Sequence, residues 1–371
     1  MASDTDTDVL VLGGAGVDTI VHVPELPLPF ADSYMIRPGI ETRAGQSGDF
    51  VALGLTALGL RTHHLDMVGD DHEGDLVRAL HRDQGIPLTA IPQSAGTKRA
   101  VNLVGPDGQR LSCYDGTRAG ADDRLPEQTV RQLAAASRHA HVVITHPCAH
   151  ALPRLRETGL TVSTDLHNRD GVNPYHEPFA LAADVVFLSA TALADPQHAM
   201  RDIVARGRAR IVVVTAGAAG AYLLSAGELT HVPAIAPPAP VVDSNGAGDA
   251  FASAFLFGWL KGEDPLRCAL YGVSIPTSSR VSPSLPTGAC VLPAVAPGDS
   301  SPAGWAVLLE PAPFVGPVGP ALALPPSEPP HATGVAVSVT TAAAAAMERR
   351  MTRRTAPGWM GGLRHVDRAN T

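Results

Sequence analysis

The chain has 371 residues, 45% of them apolar, and a formal net charge of −8. That composition is globular and mildly acidic, which excludes an electrostatic nucleic-acid binder, and no apolar run approaches the roughly eighteen residues of a membrane span. The start "MASDTDTDVLVLGG" has no basic n-region, so the chain is expected to lack a secretory signal and to be soluble and cytoplasmic. Cys113, Cys148, Cys268 and Cys290 lie far apart without a CxxC pair, which argues against a zinc site or a disulfide framework.

In chain order, "DVLVLGG" (8–14) reads as a buried strand ending in glycines. Residues 20–43 are extended and Pro-rich. "SGDFVALGLTALGL" (47–60) has helical spacing and begins with Ser47 as a capping residue. "HHLDMVG" is the next strand and "GDLVRALHRDQG" the next helix. "TKRAVNLVGPDGQRLSCYDG" (97–116) alternates around a Gly-Pro-Asp-Gly turn, a hairpin signal. "HVVITH", "LTVSTDLH", "ADVVFLS" and "ARIVVVTAG" read as further strands, the last being the final clear one. Strands this apolar, separated by helices, predict a mainly parallel sheet covered on both faces. Segments 20–43 and 97–116 would form a small antiparallel flap, a lid over the carboxyl ends of the strands, where ligands lie in such folds.

Between an apolar helix starting at Ala250 and the segment before it stands "DSNGAGDAF" (243–251). Its glycines allow a tight turn whose amides face outward at a helix N-terminus, an arrangement that binds phosphate. The amides of Gly246, Ala247 and Gly248 would stabilise charge on a transferred group. Asp249, kept ionised by the helix dipole, would accept a proton from an attacking hydroxyl. Asp243 would orient the loop or reach the metal indirectly. The competing reading makes Asp249 a helix-cap or turn residue.

This segment resembles the carboxy-terminal signature D-T-x-G-A-G-D-x-F of the ribokinase-like, or PfkB, carbohydrate kinases. The other pieces resemble that family in order: "LGGAGVD", "AGQSGDFVALGLTALG", "VGDDHEGDLVRALHRDQGI", "STDLHNR" and "VVVTAGAAGAYLL". The resemblance implies a three-layer α/β/α sandwich with a small β lid over residues 8–272. It implies transfer of the γ-phosphoryl of ATP, with Mg2+ and a monovalent cation such as K+, to a hydroxyl of a sugar, sugar acid or nucleoside. By resemblance Asp249 is the base and 246–248 the anion hole. Asp18, Gly45 and Asp49 contact the substrate, and Thr215, Gly217, Gly220 and Asp243 lie near the nucleotide. No residue is assigned as a metal ligand. A homodimer through the lid edge is the expected assembly.

The chain departs from the family pattern in three places. Ala44 and Asp49 replace a glycine and an asparagine, and a carboxylate accepts hydrogen bonds without donating them. "SATA" replaces N-x-x-E, so Ser189 and Ala192 stand where an amide and a carboxylate help organise magnesium. From residue 273 the sequence turns Pro-rich and nearly uncharged through 330, then Ala-rich with arginines near 349–354. That tail is expected to be disordered or loosely packed. The abrupt switch suggests a change of reading frame, and the alternative function is a weakly active or inactive ligand-binding member of the same fold. His146 and His150 have i, i+4 spacing, but Pro147 argues against one regular helix holding both.

Overall fold

The protein is described by a computed structural model covering residues 6–236 and 244–274. Asp243, and from residue 275 the expected loose tail and frame change, lie outside the described residues. In chain order the elements are β1 (Thr7–Leu12), β2 (Val17–His22), β3 (Glu41–Ala44), α1 (Ser47–Ala57), β4 (Thr62–Val68), α2 (His72–Asp83), β5 (Leu88–Pro92), β6 (Arg99–Val104) and β7 (Arg110–Tyr114). Then follow α3 (Glu127–Ala135), β8 (Ser137–Val143), α4 (His146–Glu157), β9 (Thr161–Asp165), α5 (Glu177–Ala182), β10 (Val185–Ser189), α6 (Pro196–Arg206) and β11 (Ile211–Thr215). The last are β12 (Ala221–Ser225), β13 (Glu228–Val232), α7 (Ala247–Leu260) and α8 (Pro265–Ser274).

Nine strands form one sheet in the order β13-β12-β11-β10-β9-β8-β1-β4-β5. Pairing is parallel from β11 to β5 and antiparallel where β12 meets β11 and β13. Alternation within each strand builds two cores. Val9 and Val11 face α1, α7 and α8, whereas Leu10 and Leu12 face the side covered by α3, α4, α5 and α6. With both faces covered, these strands read as continuous apolar runs, which is why the three-layer α/β/α arrangement was legible.

The lid differs from a simple antiparallel flap. It is a four-stranded sheet, β3-β2-β6-β7, in which β2 and β6 run parallel. The reason is that β2 continues almost directly from β1, and both expected lid segments add strands to it. After β11, the last strand clear from the apolar pattern, comes the antiparallel pair β12–β13.

Two local expectations are corrected. The N-cap of α1 is Gln46, not Ser47, and the Asp49 side chain in the first turn accepts from the Gln46 backbone amide at 3.3 Å. Residues His146 to His150 share α4, because Pro147 stands in its first turn, where the missing N–H has no helical partner to lose. Those two histidines are also engaged separately. His146 packs edge-on against Tyr175, and His150 Nε2 bonds the Ala121 carbonyl at 3.1 Å. Among the described residues no helix is long and apolar enough to cross a membrane.

Candidate active site

The parallel strands place their carboxyl ends along one edge of the sheet, and the chemistry collects there. Asp249 lies in the first turn of α7, whose N-cap Gly246 has φ +77°. That left-handed conformation is open to glycine at no steric penalty. The turn closes with the Ala247 amide donating to the Ser244 carbonyl at 3.2 Å, so this member of the expected anion hole is engaged within the loop. Within α7, Ser253 Oγ donates to the Asp249 carbonyl at 2.8 Å, and the same hydroxyl faces the Val51 carbonyl of α1 at 3.4 Å.

Asp249 is 8% exposed. Burial, then repulsion from the neighbouring Asp165 carboxylate, pushes its carboxyl up to about 8. Arg110 pulls the other way and Asp18 adds to the rise. The expectation that the dipole keeps it ionised is therefore corrected: desolvation outweighs the dipole at this position.

Asp18 projects from β2 and is 5% exposed. Burial raises its carboxyl, offset by amide donors. Asn245 Nδ2 and Gln46 Nε2 approach its two oxygens at 3.4 Å each. Asn245 in turn accepts from the Arg110 guanidinium, which reaches over from lid strand β7. Ser244 Oγ donates to Gly108 in the lid turn at 2.8 Å. The lid is thus latched to the loop that carries Asp249, and Asp18, Arg110, Asn245 and Asp249 meet across three regions of the chain.

Asp165 ends β9 and accepts from the His167 amide at 2.8 Å. Its Oδ2 lies 3.5 Å from where a Cβ on Gly248 would stand, which puts the carboxylate beside the turn. His167 has φ +50°, unusual for a residue with a Cβ, and its Nε2 stands 3.5 Å from Ser47 Oγ. Gly45 (φ +142°) and Gly246 both border the Phe50 ring, which walls this side of the cleft.

Thr215 ends β11, paired with Ser189 at the end of β10, two strands along from Asp165. Gly217 (φ +53°) and Gly220 (φ +94°) make the turn into β12. Asp49 is not in this cleft. It is fully buried, and Oδ2 accepts the Gly16 amide at 3.0 Å while Oδ1 faces His64 and His81. A substrate-contacting role is thereby replaced by an internal one. The residues missed by sequence reasoning are Asp165, His167, Arg110 and Asn245. The first two stand in "STDLHNR", so the signal was present. Arg110 and Asn245 meet across 135 positions, a contact that needs the fold.

Residues 6–275 match the pfkB family carbohydrate kinases. The chain belongs to this family. A pfkB carbohydrate kinase is a phosphotransferase with an alcohol group as acceptor; the family uses ATP, generally with a divalent metal. The chain is 59% identical over 268 residues to acarbose 7(IV)-phosphotransferase of Actinoplanes sp., covering 72% of this chain and 89% of that one. It is 31% identical over 271 residues to an ATP-dependent ribose-1-phosphate kinase of Halopiger xanaduensis, covering 71% and 88%. Among solved structures it resembles the microbiome-derived acarbose kinase Mak1, with TM-score 0.67 and 44% identity over 72% of this chain and 91% of that one. Arabidopsis thaliana ribokinase, complexed with ribose and ATP, shares the fold at TM-score 0.61 and 21% identity, over 73% and 91%.

By resemblance, Ser189 and Ala192 stand where the family carries its magnesium-organising amide and carboxylate. Ser189 Oγ contacts Thr191 Oγ1 at 2.8 Å and accepts the Thr191 amide at 3.2 Å, capping a short turn, and Ala192 offers no donor atom. A magnesium ion suits this site only when triphosphate oxygens and water supply its shell, which the ion tolerates.

Proposed function

We propose that this pfkB kinase transfers the γ-phosphoryl group of ATP to a hydroxyl of acarbose or a closely similar saccharide. The observation that carries this reading is the buried Asp249 carboxyl beside the Gly246–Gly248 turn, with Asp18 and Arg110 on its lid side. The identity to the Actinoplanes enzyme narrows the acceptor. In the step itself, the acceptor oxygen forms a bond to the γ-phosphorus, the bond to the ADP oxygen breaks, and the hydroxyl proton passes to Asp249. A carboxylate whose pKa lies near the working pH is suited to that transfer. Gly246 and Gly248 amides, with Arg110, stabilise the transferred group. Asp18 and the Gly45 backbone orient the acceptor.

Thr215, Gly217 and Gly220 border the nucleotide, and Asp243 orients the loop. A magnesium ion would neutralise phosphate charge, and a monovalent cation such as K+ would support the loop. The kinase domain spans 8–272. We place the enzyme in the cytoplasm, where ATP is supplied, and propose a homodimer through the lid. Val101, Leu111 and Tyr114 are exposed on its strands, and β7 is an edge.

The test is transfer of labelled phosphoryl from Mg-ATP across acarbose, pentoses, hexoses, sugar acids and nucleosides. Transfer to acarbose at the highest kcat/KM is the expected result. Transfer to no acceptor by folded protein would favour the weakly active or inactive reading, which Ser189 and Ala192 support. Arg110→Ala is expected to lower kcat by about 10²-fold, the scale of losing one transition-state donor. An unchanged kcat in steady-state assays would reduce Arg110 to a lid latch.

A further inference from the structure

Beneath the cleft, on the inner side of α1, three side chains converge that the phosphoryl-transfer reading does not use. They are Asp49, His64 on β4 and His81 on α2, which are 0%, 0% and 2% exposed. His64 Nδ1 lies 2.9 Å from His81 Nε2, and Asp49 Oδ1 lies 3.5 Å from the first and 3.6 Å from the second.

The far nitrogens of both rings decide what faces the centre. His64 Nε2 is 2.9 Å from the Gly13 carbonyl, and His81 Nδ1 is 3.1 Å from the Val77 carbonyl. A carbonyl only accepts, so each of those nitrogens carries the proton and donates it outward. With both outer nitrogens donating, neutral rings turn the lone pairs of their two inner nitrogens toward each other, 2.9 Å apart. Asp49 Oδ1, also buried, has no hydrogen-bond partner. A proton on it would not mend the arrangement, because 3.5–3.6 Å is too long for a hydrogen bond.

Three acceptors facing one buried centre call for a cation. Four-coordinate zinc, with ligand bonds of about 2.0–2.1 Å, sets its donors roughly 3.3 Å apart, which is the mean size of this triangle. Each histidine donating its other N–H to a backbone carbonyl is the outer arrangement that metal-bound imidazoles adopt. The nearby Asp66 is already matched by Lys98 Nζ at 2.9 Å, so the cluster's own acid is the one left to balance a cation.

We propose that Asp49, His64 and His81 bind one divalent transition-metal ion, zinc by the two-nitrogen, one-oxygen donor set. The ion joins α1, β4 and α2 directly under Gly45 and Gln46. Because Gln46 also reaches Asp18, the metal fixes the loop that presents the acceptor-binding groups. With all three ligands buried, it is captured as the chain folds.

The test uses the full-length protein grown with zinc and purified without chelator or magnesium. Elemental analysis is expected to find about one zinc per chain, and protein refolded with cobalt to show the intense visible bands of four-coordinate Co2+. His81→Gln should lose at least about nine-tenths of the bound metal while His146→Gln keeps it, and chelation should lower the melting temperature of wild type but not of His81→Gln. Wild type with under about a tenth of an equivalent of zinc and no cobalt bands overturns the proposal. So does full metal retention by His81→Gln. Should His81→Gln not fold, the wild-type zinc content and cobalt spectrum decide alone.

Discussion

Asp249→Asn is expected to reduce turnover by about 10²-fold or more, the scale of removing a positioned base, while making the protein more stable at alkaline pH. Both effects come from one carboxyl. Asparagine keeps its shape and the Ser253 hydroxyl's bond to the residue 249 backbone, but it cannot take the acceptor's proton. The sign of the stability change follows from the shifted pKa. Its ordinary value is 3.8 and in the folded protein it is about 8. Between those values the native state holds a proton that the unfolded chain releases, so this group's contribution to stability falls as pH rises from about 4 to about 8, then levels off. The variant lacks that loss. Its melting temperature should exceed wild type most clearly near pH 9 and differ least near pH 5, as expected where an active site is held at the expense of stability. In wild type, kcat/KM should climb with pH along a limb centred near 8, and that limb should vanish in the variant. Turnover unaffected by the substitution would reassign Asp249 to helix capping.

The same carboxyl shows how far sequence carries. Its place at a helix start beside glycines was legible, because Gly246 must take a left-handed turn and an apolar stretch follows. Its raised pKa was not, since burial needs the folded chain and the charges around it, Asp165, Asp18 and Arg110, come from β9, β2 and the lid. The central sheet was legible for a simple reason: strands covered on both faces have no polar alternation to confuse with anything else. Asp49 marks the limit. A first-turn acid points toward or away from a cleft according to what packs beneath it, and His64 and His81 reach it only once β4 and α2 are in place. The lid was legible as a small flap, but its parallel β2–β6 pairing was not, since it joins Val17–His22 to a strand some eighty positions later.

The turn at Gly13–Gly16 packs against one of the tightest glycines among the described residues, and Gly48→Ala should be strongly destabilising. The start of α1 rests on the end of β1, with the Gly48 amide donating to the Gly14 carbonyl at 3.0 Å and the Asp49 amide to the same oxygen at 3.3 Å. A Cβ on Gly48 would stand 1.9 Å from the Gly13 oxygen, 2.9 Å from its carbonyl carbon and 2.9 Å from His64 Nε2. The nearest of these is backbone, so no rotamer change relieves the contact. Either α1 slides off the strand or the Gly13 carbonyl turns away and abandons His64, and both movements displace Gly45, Gln46 and Asp49 together. Overpacking a tight interior typically costs about 1–3 kcal/mol, and with no flexible partner the loss should be about 3 kcal/mol or more. Gly116→Ala is the control, because its added methyl meets nothing within 4 Å. Urea unfolding should show Gly48→Ala shifted far below wild type and Gly116→Ala near it. Coincident midpoints for Gly48→Ala and wild type would mean that α1 does not seat on β1 this closely, and the placement of Asp49 over His64 and His81 would go with it.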